Sequence, residues 1–313
     1  MNTTFASTLP QALRDSCAQH AAQTAIIDGD FQVTYAQLLP LVEQAASSLI
    51  ALGVQMGERV AVWAPNVYEW IIAASAIHMV GGVLVPINTR MKGTEAHDIL
   101  ERSSVRVLFT IGDFLGCYYP DMLNGKRPSS LQHIVVLKQA PKNAGELSWA
   151  DFMAKGTADS AAEVTRREAA LGPDSMADLM FTSGTTGKPK GVKLGHAASI
   201  RTITEWADVV GLHAGDRYLI INPFFHAFGY KAGWLAALLR GATIYPHLVF
   251  DAEAVLQRIQ DEKITFLPGP PTLFLTMLAH EKLHDFDISS LNATVTGAAT
   301  VPPILIERMR NDL

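Results

Sequence analysis

Short runs of β-branched and aliphatic residues alternate with helix-length stretches along almost the whole chain. This alternation restricts the fold more than any other feature. Val60-Ala61-Val62-Trp63, Val83-Leu84-Val85-Pro86-Ile87 and the run from Val105 to Thr110 read as strands. Tyr68 to Met79 and Thr94 to Arg102 read as the helices between them, and an earlier helix runs from Thr34 to Leu52, where Gly53 is its natural stop. Strand, helix and strand at this spacing predict right-handed parallel crossovers. The strands are apolar at successive positions, as required where helices cover both faces of a sheet. A second series follows, with strands at Ala177 to Phe181, Tyr218 to Asn222, Ala242 to Tyr245, Thr265 to Leu267 and Ala293 to Thr296. The expectation is an α/β protein of two similar, mostly parallel sheets flanked by helices. Residues 1–172 would form the first αβ lobe and residues 173–313 the second.

Composition removes several function classes. The 313 residues are 49% hydrophobic and 18% charged, which excludes a disordered segment or a coiled coil. With 25 Lys+Arg against 30 Asp+Glu, the net charge is −5, so no nucleic-acid partner is expected. Cys17 and Cys117 are the only cysteines, too few for a disulfide framework or a cysteine-based zinc site. Residues 1–16 lack the basic and apolar regions of a secretory signal. The most apolar stretch, Val60 to Ile87, is interrupted by Pro65, Asn66, Glu69, His78 and Pro86, so stable membrane insertion is not expected. A cytoplasmic protein is the resulting expectation.

The chemistry concentrates in Phe181-Thr182-Ser183-Gly184-Thr185-Thr186-Gly187-Lys188-Pro189-Lys190-Gly191, directly after a strand. Glycines let backbone N–H groups wrap an anion closely, hydroxyls donate to phosphate oxygens, and lysines add mobile positive charge. The composition is that of a nucleotide-phosphate loop. It is not the helix-capping loop of the common NTPases, which places four residues between its glycines and Ser or Thr after the lysine. Here two residues separate Gly184 from Gly187, and Pro189 follows Lys188.

That string resembles the signature loop of the adenylate-forming superfamily, which includes acyl-CoA synthetases, luciferases and peptide-synthetase adenylation domains. Further segments resemble the family in the right order. Asn66, Glu69, Gly81 to Asn88 and Glu95 look like its first lobe. Pro223-Phe224-Phe225-His226-Ala227-Phe228-Gly229 looks like its aromatic substrate-pocket motif, Gly269-Pro270-Pro271-Thr272 like the pocket wall, and Thr296-Gly297-Ala298-Ala299 like the loop that packs on adenine. The resemblance implies the fold of the family's large N-terminal domain, and an acid–thiol ligase that uses ATP, Mg²⁺ and coenzyme A. A carboxylate attacks the α-phosphate of ATP, and coenzyme A then displaces AMP from the acyl-adenylate. It assigns Thr182, Ser183, Gly184, Thr185, Thr186, Gly187, Lys188 and Lys190 to the nucleotide phosphates, with Thr185 near Mg-ATP and no protein metal site otherwise. It assigns Gly297, Ala298 and Ala299 to adenine, His226 to the reacting carboxylate, and Phe225, His226, Gly229, Gly233, Gly269 and Pro270 to the acyl pocket. Gly229 and Gly233 would leave room for the acid.

Amino-acid-activating relatives carry an aspartate in the aromatic motif to hold the substrate ammonium. Here no acidic residue lies between Asn222 and Lys231, so a plain carboxylic acid is favoured. The run Ile221 to Gly233, with Leu267 to Thr272 and Val295 to Pro302, resembles one subgroup in particular. Its members activate the bicyclic indanedione propanoate left after two steroid rings are degraded; a medium or long fatty acid stays open beside it. Loading of a carrier protein from the acyl-AMP and a non-catalytic nucleotide-binding fragment are the alternatives, and a homodimer is compatible with either. The family's later elements, including a C-terminal domain with its catalytic lysine, do not occur within the 313 residues. The chain as given is therefore expected to be the N-terminal part of a ligase, with little activity alone and an exposed sheet edge.

Overall fold

The computed structural model describes residues 6–123, 125, 127–182 and 189–313. In chain order the elements are α1 (Leu9–Gln19), β1 (Thr24–Asp28), β2 (Phe31–Thr34), α2 (Tyr35–Ala51), β3 (Arg59–Trp63), α3 (Tyr68–Met79), β4 (Val83–Pro86) and α4 (Gly93–Arg102). They continue with β5 (Val107–Ile111), β6 (Asp113–Phe114), β7 (Cys117–Tyr118), β8 (His133–Leu137), β9 (Glu146–Ser148), α5 (Trp149–Met153), α6 (Ala158–Ala169), β10 (Met176–Thr182) and β11 (Lys190–Gly195). The remainder are α7 (His196–Val210), β12 (Arg217–Ile220), α8 (Ala227–Gly229), a π-helical turn (Tyr230–Leu235), α9 (Ala236–Arg240), β13 (Thr243–Pro246), α10 (Ala252–Glu262), β14 (Phe266–Gly269), α11 (Pro271–Leu278), β15 (Ala293–Thr296) and α12 (Pro303–Asp312).

Two compact units emerge, and neither is one continuous stretch of chain. The first comprises residues up to Ala18, Ala36–Pro65 and Glu69–Thr202. Its sheet has the order β11-β10-β4-β3-β5-β8-β9, parallel throughout except for the antiparallel β10–β11 pair. Val60 pairs with Leu84 on one side and Val107 on the other. The central strands β4 and β5 are buried at every position, as two-sided cover demands. α3 is buried from Glu69 to Met79, which explains why its sequence shows no polar stripe. Gly53 stops the chain after α2 with φ +79°, a conformation that other residues rarely adopt.

The second unit comprises Gln19–Tyr35, Asn66–Tyr68 and Ile203–Leu313. Its sheet has the order β15-β14-β12-β13-β1-β2, parallel except for β1–β2. Ile26 of β1 pairs with Ile244 of β13. α10, α11 and α12 pack over this sheet through Val255, Leu256, Phe274, Met277, Leu305 and Met309.

The division at residue 172 therefore does not follow the compact units. β10 and β11 extend the first sheet through β4, and the second sheet borrows β1 and β2 from near the start of the chain. The sheets are mostly parallel, as expected, and the two antiparallel pairs have a simple reason. Two residues join β1 to β2 and seven join β10 to β11, whereas a parallel crossover needs about a dozen. No helix among the described residues is long and apolar enough to cross a membrane.

Candidate active site

The phosphate-loop residues Ser183, Gly184, Thr185, Thr186, Gly187 and Lys188 lie outside the described residues. Their flanks belong to the hairpin of the first unit. Thr182 ends β10, Lys190 opens β11, and the two pair directly across the ladder. Both side chains are exposed, and the Thr182 hydroxyl lies 3.5 Å from the Lys190 carbonyl. Buried groups fix the base of the hairpin: His78 Nε2 lies 3.1 Å from Asp178 Oδ1 in β10, and His196 Nδ1 accepts the Leu9 N–H at 3.2 Å just after β11.

Sequence reasoning missed Arg102. Its guanidinium donates to the Pro189 carbonyl at 2.9 Å and stands 5.3 Å from the centre of the Phe181 ring, so it holds both arms of the hairpin. It also pairs with Asp98 one turn earlier, and that (i, i+4) pair is all the sequence displays of it.

The aromatic motif leaves the carboxyl end of β12 in the second unit. Phe224 is fully buried, Phe225 and Phe228 are half-buried, and His226 is exposed. His226 starts α8, and its Nδ1 accepts the Phe228 N–H at 3.2 Å. The ring proton then resides on Nε2. A buried carboxamide shapes the loop before it. Asn66 donates to the Ile220 and Asn222 carbonyls, each at 3.0 Å, and accepts the Phe224 N–H at 2.8 Å.

The two glycines expected to make room for the acid do not open onto empty space. A Cβ at Gly229 would collide with the carbonyl oxygens of Asn222 and Pro223. One at Gly233 would lie 3.2 Å from the Phe228 oxygen and 3.3 Å from Ile220 Cγ2. The loop itself fills the volume these residues give up. Gly233 sits within the π-helical turn, a local irregularity that recurs at functional sites.

β14 runs beside β12 and β15 beside β14, with Gly269 paired to Thr296. Gly269, Pro270 and Gly297 to Ala299 therefore gather with the aromatic motif at the carboxyl ends of neighbouring parallel strands, where open α/β sheets bind ligands. The atoms nearest a Cβ at Gly269 belong to the flexible Leu273 side chain, and one at Gly297 meets nothing within 4 Å among the described residues. Ala298 is exposed and takes φ +65°, which costs an ordinary residue about 1 kcal/mol or more. β15 is an edge of its sheet, and a groove of about 540 Å³ runs beside it, lined by Asn292, Thr294, Thr296, Ile306, Met309 and Arg310 among others.

His247 follows β13 and donates its backbone N–H to the Ile220 carbonyl. Burial, and then the neighbouring Arg258 guanidinium 3.2 Å from Nδ1, push its imidazole down to about 4. Among the described residues no group of three His, Cys, Asp or Glu side chains is placed to hold a metal ion.

The chain is 45% identical over 306 residues to a protein of Mycobacterium tuberculosis named as the CoA ligase of a 7a-methyl-1,5-dioxo-octahydroindenyl propanoyl group. It is 43% identical over 313 residues to a protein of the same name from Rhodococcus jostii. Each alignment covers 98% of this chain and 60% of the relative, so the chain spans about three-fifths of their length. A crystal structure of the anthranilate CoA ligase AuaEII in complex with anthranoyl-AMP superposes with a TM-score of 0.89 at 27% identity, covering 98% of this chain and 58% of that one. The family described as AMP-binding enzyme matches residues 13–313, and the chain belongs to that family.

Proposed function

We propose that this chain is the nucleotide- and acid-binding part of an ATP-dependent carboxylate–CoA ligase, and that its acid is a compact bicyclic propanoate of the kind named for its relatives. One observation carries the reading. The aromatic motif, the Gly269–Pro270 wall and the Gly297–Ala299 turn meet at the carboxyl edge of one parallel sheet. A half-buried Phe225 and a proline-rich wall offer the rigid apolar surfaces that suit a ring system.

In this reading the carboxylate oxygen bonds to the α-phosphorus of ATP as the bond to pyrophosphate breaks. The thiolate sulfur of coenzyme A then takes the acyl carbon from AMP. Neither step uses a covalent protein nucleophile, so positioning and charge stabilisation supply the rate. Thr182, Ser183, Thr185, Thr186 and Lys190 receive the phosphates, with Gly184, Gly187 and Lys188 completing the loop. Gly297, Ala298 and Ala299 face adenine; the strained backbone at Ala298 is the kind of outlier that accompanies a binding function. His226, with its proton on Nε2, donates to the carboxylate and orients it. Mg²⁺ would accompany ATP and offset phosphate charge, with Thr185 the residue we assign to it. We place the protein in the cytoplasm and leave a homodimer compatible with the site.

The test is thioester formation by the natural protein at full length. A kcat/KM preference of ten-fold or more for the bicyclic propanoate over octanoate, worth ~1.4 kcal/mol, is expected. The reverse preference would reject the ring substrate and leave a fatty acid. Pyrophosphate release without acyl-CoA would point to transfer onto a carrier protein. No pyrophosphate release with either acid would leave a nucleotide-binding module.

A further inference from the structure

The second unit contains a polar joint that neither the sequence nor the family match assigns to anything. Asn66 is 4% exposed and lies far in sequence from every group it touches. Both hydrogens of its carboxamide are used on carbonyls of one loop, Ile220 and Asn222, and its oxygen accepts the Phe224 N–H from the same loop. The chain from Ile220 to Phe224 is thus wrapped around a single side chain. Asn222, itself 6% exposed, passes the linkage on by donating to the Pro268 carbonyl at 3.0 Å. Pro268 immediately precedes Gly269 and Pro270. The His226 N–H then bonds the Pro223 carbonyl at 3.0 Å, so the histidine hangs from the turn that Asn66 sets.

We propose that Asn66 is a positioning residue for the acid. Through the Ile220–Phe224 loop it sets where His226 stands relative to the Gly269–Pro270 wall, and Asn222 is the second member of the same relay. The proposal rests on the ligase reading above. A buried asparagine that only satisfied stray carbonyls would need no common target. Here all three bonds fall within five residues of one loop, and the relay continues to the pocket wall. Removing the carboxamide would take its hydrogen bonds from the Asn222 carbonyl and the Phe224 N–H, while the Ile220 carbonyl would keep only the His247 N–H.

The experiment compares wild type, Asn66→Asp and Asn222→Ala in the natural protein at full length, with separate KM values for acid and ATP. Asn66→Asp keeps the shape but sets a carboxyl oxygen against two carbonyls. The expected result is a fall of about ten-fold or more in kcat/KM for the acid, with KM for ATP changed less than about two-fold. Protonating the introduced carboxyl restores one donor, so the deficit should shrink as pH falls from 8 to 6 while wild type shows no matching gain. Asn222→Ala removes only the Pro268 link and should show the same acid-selective pattern at about three-fold, which keeps the test available if Asn66→Asp does not fold. Equal changes in both KM values, or kcat/KM for the acid within two-fold of wild type in both variants, would overturn the proposal. A wild type inert with every acid would instead sink the ligase reading, and this inference with it.

Discussion

The Nδ1 atom of His226 accepts the backbone N–H of Phe228 at 3.2 Å, so one imidazole both caps a short helix and presents a protonated Nε2. These two roles separate by substitution. Asparagine is a good helix cap but lacks the imidazole. His226→Asn is expected to leave the melting temperature within a few degrees of wild type and to lower acyl-adenylate formation by roughly 10²-fold, the scale of a lost oxyanion-type donor. Pyrophosphate exchange and a thermal melt check both halves. Unchanged exchange would remove His226 from the reaction.

Gly229 and Gly297 make opposite predictions under the same change. Alanine at Gly229 forces a methyl against the Asn222 and Pro223 carbonyl oxygens, and backbone atoms yield less easily than side chains. A loss of about 1–3 kcal/mol in urea unfolding is expected. At Gly297 the added methyl meets nothing within 4 Å among the described residues, so stability should hold while KM for ATP rises. Normal ATP affinity in Gly297→Ala would move adenine away from that turn.

Lys190 opens β11 directly opposite Thr182, with its side chain exposed. Its ammonium is expected to act on the phosphate chemistry alone. Lys190→Ala should slow adenylate formation by at least about ten-fold while thioester formation from supplied acyl-adenylate continues near the normal rate. Equal slowing of both half-reactions would reject the phosphate assignment.

His247 makes the fold acid-sensitive in a defined window. Its native value, pushed down to about 4 chiefly by burial and then by Arg258, lies below the ordinary value near 6.5. As pH falls through 6.5 the unfolded chain takes up a proton that the native state refuses. Stability present above pH 6.5 is therefore lost between 6.5 and 4, by at most about 3 kcal/mol. His20 and His133, also lowered mainly by burial, add in the same direction. Urea melts at pH 7 and pH 5 should show the fall, and His247→Gln should reduce it. Equal stability at the two values would contradict the assignment.

The sheet cores were legible because their physics is local. Val83–Pro86 is an unbroken apolar run behind two glycines, and burial at all four positions follows from that run alone. The motif segments at 223–229, 269–270 and 297–299 stood out only by their resemblance to a known family, and strand order places them at the ends of strands of one sheet. What escaped depends on distant partners. Thr24–Asp28 is a short apolar stretch like many others, and nothing in it names β13 as its neighbour. Asn66 looked like a polar interruption of an apolar region, yet its three bonds lie on residues more than a hundred and fifty positions away. Arg102 reads in the sequence as the end of a helix, and its hold on Pro189 and Phe181 lies about eighty positions further on. The expectation of open space at Gly229 failed because a missing side chain is equally useful for letting backbone approach backbone.

The pairing of β1 with β13 also governs how such a protein can be divided or inherited. Strands made within the first 34 residues close a sheet whose other members are made after residue 216. During synthesis β1 and β2 must wait, uncommitted, until about two hundred further residues have emerged, and closing so long a loop favours slow completion. No single break in the gene yields the second unit intact. Residues 203–313 alone would lack both β1 and β2. Recombination that exchanged the second unit between relatives would therefore have to carry three separate segments together, or alter the loops at the strand ends one residue at a time.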